Sequence, residues 1–192
     1  MILILYSKEN QVHDLMSRIK KSHVYCETLP YTCTINDIKL KRAEGIIIAD
    51  GVESLPNLKD EVFKLGLPIL AIGCGTNVID DAYNGKSSIP ASNTYNFENV
   101  KVKRESLLFN GMIERINLWL NKECFFEIIP EGFETIAEFK GKTVAIEKSG
   151  AKIYGIKFHP EVENSVEGKC IIENFLFKIC NCDKNLEIEE LV

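Results

Sequence analysis

Over its first half the chain alternates short apolar runs with segments whose apolar residues recur at helical spacing. Ile2 to Tyr6 is an apolar run of the length expected for a strand buried on both faces. Ser7 is placed to cap a helix in which Val12, Leu15, Met16 and Ile19 make one buried stripe. Val24 to Leu29 reads as a second strand ended by Pro30, and Thr34-Ile35-Asn36-Asp37 has the form of a capping box opening a short helix. Gly45 to Ala49 supplies a third strand, Pro56 to Leu65 a helix, and Pro68 to Ile72 a fourth strand. That strand enters another helix through Gly73-Cys74-Gly75. Apolar strands alternating with helices predict a parallel sheet in a three-layer α/β domain.

The rhythm changes in the second half. Asn84 to Glu98 is polar, holds Gly, Ser, Pro and Asn, and is the longest loop expected. Beyond it, strands are predicted around Val100 and Val102, then over Ile116–Leu120, Phe133–Glu138, Thr143–Ile146 and Ile153–Phe158. Short turns between them predict an antiparallel extension of the sheet. A last helix turns Ile171, Ile172, Phe175, Leu176 and Ile179 inward, and an acidic tail, 183–192, is expected to be solvated. Residues 1–182 are thus read as one domain and 183–192 as an appendage.

Composition narrows the class without changing this outline. A chain of 192 residues that is 45% apolar suffices for one core. A net charge of −5, spread along the chain, argues against a nucleic-acid-binding surface. The basic cluster from Lys39 to Arg42 is expected to be a solvated face. Seven cysteines, an odd number without a C-x-x-C pair, point to a reduced, cytoplasmic protein rather than a disulfide scaffold. Cys180 and Cys182 alone lack the further ligands that zinc requires, so no metal is expected. Met1 to Leu5 is too short for a signal peptide or a membrane span, and no membrane association is expected.

Several strings, in order, resemble the glutaminase domain or subunit of GMP synthetase, a class I glutamine amidotransferase. They are Met1–Leu5, Val24–Tyr31, Gly45–Ile48, Pro68–Asn77, Ile129–Ala137, Lys152–Val162 and Asn174–Cys180. The resemblance spans nearly the whole chain and is weakest from about Asn84 to Phe126. It implies a flavodoxin-like, three-layer α/β fold with a mainly parallel central sheet and an antiparallel extension. It also implies hydrolysis of glutamine to glutamate and ammonia for a synthetase partner, without a cofactor.

That reaction needs a thiolate, a base, an orienter for the base and an oxyanion hole. His159 and Glu161 stand where the family has its base and orienter. Two residues apart on an extended segment, they project to one side. Gly73, however, stands at the family's nucleophile position in the elbow, and glycine offers no side chain. Cys74 is one residue further on; to serve instead it needs a bulge or a rebuilt turn, which the flanking glycines permit. In the loop after the third strand, Gly51 is a candidate oxyanion donor, whereas Asp50 sets a carboxylate where negative charge must be stabilised. Asn77 stands where the family has a substrate-handling glutamine. Tyr6–Asn10 and Trp119–Cys124 replace other active-site strings, with only Trp119 kept.

Three readings follow. The favoured one is a pseudoenzyme: the fold is retained, ordinary glutaminase activity is lost, and the chain acts by binding an ATP-pyrophosphatase (GMP synthetase) subunit or by regulation. Asp50, Asn93–Phe97 and Trp119–Cys124 would then supply the interface, with Trp119 either its anchor or a residue of its own strand's core. The second is an active glutaminase subunit using Cys74, His159 and Glu161 to release ammonia for a separate ATP-pyrophosphatase subunit. The third is a different hydrolase or binding protein that reuses the cleft. Under each, the lack of a nucleotide-binding loop implies that the chain cannot complete GMP synthesis alone.

Overall fold

The computed structural model describes residues 1–8, 12–58, 60–103, 105–162 and 165–184. Along the chain the first half gives β1 (Ile2–Tyr6), α1 (His13–Lys21), β2 (Cys26–Pro30), α2 (Ile35–Lys41), β3 (Gly45–Ile48), β4 (Ile69–Ile72) and α3 (Asn77–Tyr83). The second half gives β5 (Lys86–Ser87), β6 (Asn96–Val102), β7 (Arg115–Leu120), β8 (Phe126–Ile128), β9 (Glu134–Phe139), β10 (Lys142–Lys148), β11 (Ile153–Ile156) and α4 (Val166–Glu173).

All described strands join one sheet. Its main path runs β2-β1-β3-β4-β11-β10-β9-β6-β7, with β8 pairing β10 and β5 to one side. From β2 to β11 neighbouring strands are parallel; from β11 onward they are antiparallel. A mainly parallel centre with an antiparallel extension is the architecture expected from the pattern.

Alternation of side chains across the parallel strands explains the three layers. Ile2, Ile4, Ile47, Leu70 and Ile72 face α1 and the C-terminal helix, meeting Leu15, Ile19, Ile171, Phe175 and Ile179. Leu3, Leu5, Ile46, Ile48, Ile69 and Ala71 face the other way, toward Ile38 of α2 and Val78 and Ile79 of α3. Ile2 to Leu5 have no exposed surface, which is why the run is apolar without interruption.

Several local expectations need correction. Ser7 does not cap α1; the helix is entered at Val12, which is buried and forms no side-chain cap. Among the described residues of the expected 56–65 helix, only Glu61–Leu65 is helical, as a 3-10 turn closed by Gly66 at φ +71°. The Asn57 side chain donates to the Thr32 carbonyl and holds the preceding residues in a turn. The capping box at Thr34 forms as expected, with Thr34 and Asp37 bonded reciprocally.

The expected 84–98 loop contains β5 and the first residues of β6, which pairs with β7 from Asn96 onward. Strand β8 had no distinct signal, being three residues long. The last helix continues from α4 through a π-helical stretch, Asn174–Ile179, and buries all five residues expected of it. Of the expected acidic tail, Asp183 and Lys184 are exposed and 185–192 lie outside the described residues, as do Glu9 and Asn10.

Candidate active site

The parallel register brings the site together. β4 and β11 are neighbours, with Ile72 beside Ile156, so the turn after each emerges at the same rim of the sheet. That rim, at the carboxyl ends of parallel strands, is where ligands bind in open α/β sheets. Gly73–Thr76 follow β4 as a 3-10 turn leading directly into α3. Phe158 bridges to Leu120 of β7, and the His159 N–H donates to the Trp119 carbonyl at 2.8 Å.

His159 and Glu161 form the expected pair. Nδ1 lies 2.8 Å from Glu161 Oε1, and an ionised carboxylate can only accept, so Nδ1 carries the proton. Burial acts to lower the His159 pKa. The charge and hydrogen bond of Glu161, with Asp50 further off, outweigh it and hold the pKa above the ordinary histidine value. From α1, the Arg18 guanidinium donates to the backbone carbonyls of Glu161, at 3.2 Å, and Val162, fixing the turn that carries the pair. His159 Nε2 and Glu161 Oε2 are buried and have no hydrogen-bond partner among the described residues. Cys74 Sγ is therefore not bonded to the imidazole.

The elbow has the form expected for a nucleophile turn. Gly73 is buried at φ +56°, in the left-handed region that glycine enters without strain. Gly75 is pressed against the end of β3: a Cβ there would meet the Ile48 and Ala49 carbonyl oxygens at 2.7 and 2.8 Å. The space beside Gly73 is filled by Asp50. A Cβ on Gly73 would stand 2.2 Å from Asp50 Oδ1 and 2.8 Å from its Cγ. The same Oδ1 accepts the Cys74 backbone N–H at 2.7 Å. In a nucleophile elbow the N–H one residue past the nucleophile is an oxyanion donor. The Cys74 N–H, which would hold that place were Gly73 the nucleophile position, is already bonded to the Asp50 carboxylate.

Cys74 is half-buried. Burial, then the charge of Asp50 and the Cys124 thiol, push its pKa up to about 11 against a smaller pull from Lys157. At neutral pH it is a thiol, not a thiolate. Gly51 takes φ +81° in the turn after β3, and Asn77 is half-buried at the start of α3.

Two participants were not singled out from the sequence. Lys157, 4% exposed, donates from Nζ to Thr76 Oγ1 and Ser87 Oγ and lies 4.4 Å from the Phe126 ring centroid. Thr76 in turn donates to the Gly73 carbonyl at 2.7 Å, and Ser87 to Asp80 Oδ2 at 2.5 Å. Lys157 thus ties the elbow to α3 and β5. Burial lowers its pKa to about 8 despite the opposing charge of Asp80. A lone cation between Ile156 and Phe158 was the available signal. Tyr95 lies edge-on to His159, with ring centroids 4.9 Å apart. Burial, then Asp50, raise its pKa.

The 88–95 segment that carries Tyr95 is held by the 121–125 turn. Asn121 Nδ2 donates to the Ser92 carbonyl at 2.6 Å, and Glu123 Oε2 accepts the Ala91 and Ser92 N–H groups at 2.8 and 3.2 Å. Trp119 is half-buried and packs edge-on against Phe97, itself 48% exposed. The two segments expected to form an interface therefore bind each other across the rim.

Comparison with known proteins agrees with this architecture. The GMP synthase (glutamine-hydrolyzing) of Clostridium botulinum (strain Loch Maree / Type A3) is 36% identical over 170 residues, covering 85% of this chain and 33% of that protein. That of Clostridium kluyveri (strain ATCC 8527) is 34% identical over 187 residues, covering 94% of this chain and 37% of the relative. The chain thus spans about a third of the length of these relatives.

Among solved structures, a candidate GMP synthase subunit from Thermoplasma acidophilum superposes with a TM-score of 0.75 at 21% identity, covering 98% of this chain and 96% of the other. PurLQS from Thermotoga maritima gives 0.73 at 14% identity, covering 92% and 97%. At those identities the likeness shows the fold. The family profile for class-I glutamine amidotransferases matches residues 3–179, nearly the whole described structure, and the chain belongs to that family.

Proposed function

We propose that this chain is a GMP synthase-type glutamine amidotransferase domain that has lost ordinary glutaminase activity and acts by binding a synthetase-type ATP-pyrophosphatase partner. The observation that carries the proposal is the place of Asp50. Its carboxylate receives the Cys74 N–H and stands in the volume that any side chain at Gly73 would need. A tetrahedral oxyanion brought to that N–H would meet a carboxylate, and like charges at such range oppose one another. With Gly73 in the elbow, the His159–Glu161 pair has no side chain to deprotonate there.

Cys74 as a displaced nucleophile is the competing reading, supported by its position at the cleft edge. The raised pKa of its thiol and the unpartnered His159 Nε2 argue against it. Residues 1–182 make up the proposed domain, with 183–192 as its appendage, and the cytoplasm is its proposed compartment. No helix of the described residues is long and apolar enough to cross a membrane.

Partner binding is tested by pull-down with an ATP-pyrophosphatase subunit. Trp119→Ala and Lys122→Glu are expected to weaken capture without lowering Tm. A large fall in Tm for Trp119→Ala makes that residue a packing element of β7 instead, and no capture by the unaltered chain rejects docking.

A further inference from the structure

A groove of about 640 Å3 opens at the far rim of the sheet from His159, between the 105–112 turn, the end of β10 and the start of β11. Glu147 forms part of its wall and is only 7% exposed. One carboxylate oxygen accepts the Ser106 hydroxyl and the other the Ser149 hydroxyl. Among the described residues no cationic side chain lies within ion-pair distance of Glu147. Lys152 lines the same groove, but its Nζ is turned to the Ile179 carbonyl at 3.4 Å.

A buried carboxylate without a counter-ion is costly, and two neutral hydroxyls leave each oxygen with accepting capacity. The turn that lines the groove also carries apolar residues: Leu107 is 47% exposed, Phe109 is buried and Met112 half-buried. The turn bearing these residues is fixed rather than loose. Asn174 Nδ2 donates to the Leu108 and Asn110 carbonyls at 3.1 and 2.9 Å, and Ser106 Oγ accepts the Leu108 N–H at 3.2 Å.

We propose that this groove binds a small organic monoammonium ion. Its –NH3+ group supplies Glu147 with the missing charged donor, and its alkyl part lies on Leu107, Phe109 and Met112. The volume falls within the range of small-molecule sites, roughly 300–1,000 Å3. Lys152 and Glu105 line the same groove with opposite charges, which leaves Glu147 as the carboxylate for a single ammonium to pair. The proposal uses no group of the His159 cleft and stands whether or not glutamine is hydrolysed.

The test is titration with n-butylammonium chloride at constant ionic strength, followed by amide chemical shifts of the 107–112 turn. n-Butanol serves as the neutral comparison. Saturable shifts are expected with n-butylammonium. Binding should be about tenfold weaker, or more, for n-butanol and for Glu147→Gln, which keeps the carboxylate's shape. Leu107→Lys, at an exposed position, should weaken binding without touching Glu147. Absence of saturation, or equal binding of n-butanol or by Glu147→Gln, overturns the proposal.

Discussion

Placing a thiol at residue 73 should destabilise the protein unless Asp50 is removed with it. A Cβ at residue 73 would lie 2.2 Å from Asp50 Oδ1, well inside any real contact, so Gly73→Cys must expel that carboxylate. Expulsion breaks the charge-assisted bond to the Cys74 N–H, at about 1.5–3 kcal/mol. Holding a non-glycine residue at φ +56° adds about 1–2 kcal/mol. Together these give about 3.5 kcal/mol, or a fall in Tm of roughly 10 °C for a chain of this length.

Asp50→Gly alone should cost the same about 1.5–3 kcal/mol, because it removes the same bond to the Cys74 N–H. In Gly73→Cys/Asp50→Gly only the backbone strain is added to that loss. The double variant should therefore be more stable than the sum of the singles by about 1.5–3 kcal/mol. Denaturant unfolding of the four proteins in the cycle measures this. Additivity within about 0.5 kcal/mol would refute the idea that Asp50 fills the space a side chain at residue 73 needs.

Other outcomes follow from the same geometry. The NMR titration midpoint of His159 should lie above the ordinary histidine value and fall in Glu161→Gln; an unchanged midpoint would show that Glu161 does not set it. Because that folded pKa is raised, the pair's stabilisation is full below about pH 6.5 and is lost as pH rises through the folded value. Lys157 works in the opposite sense. With its pKa lowered from 10.5 to about 8, the unfolded chain binds more protons between those values, so its contribution makes stability rise from pH 8 to 10.5. Lys157→Met should remove that rise when urea midpoints are compared across the window; an unaltered slope would contradict the assignment. Tyr95→Ala should speed carbethoxylation of His159 over His13 and His23, and an unchanged rate would mean that the ring does not shield it.

The parallel half of the fold was legible because its strands are buried on both faces. Runs such as Ile2–Leu5 and Ile46–Ile48 are apolar without interruption because helices cover both of their faces. Pro56–Leu65 misled because its apolar spacing fits a helix, while Asn57 bonding to Thr32 and Gly66 at φ +71° are tertiary and terminal effects. β5 and β8 are too short to carry a period, and they exist through pairing with each other and with β10.

At the site, the strings around Gly73 and His159 pointed to the turn after β4 and to the His159–Glu161 pair, which the structure brings to one rim of the sheet. Asp50 was visible as an unfavourable charge, but not as an occupant of the space beside Gly73, which depends on the β3–β4 register. Tyr95 was hidden in a polar segment. Its place over His159 is set by Asn121 and Glu123, roughly thirty residues away, and no local pattern records such a contact.

The proposed loss of glutamine hydrolysis rests on Gly73 and Asp50. The direct measurement is glutamate formation from glutamine by the purified chain, alone and with an ATP-pyrophosphatase subunit, for the unaltered protein, Cys74→Ala and Cys170→Ala. All three should stay at background with or without the partner. Turnover that vanishes in Cys74→Ala but survives in Cys170→Ala would contradict the account and make Cys74 the nucleophile.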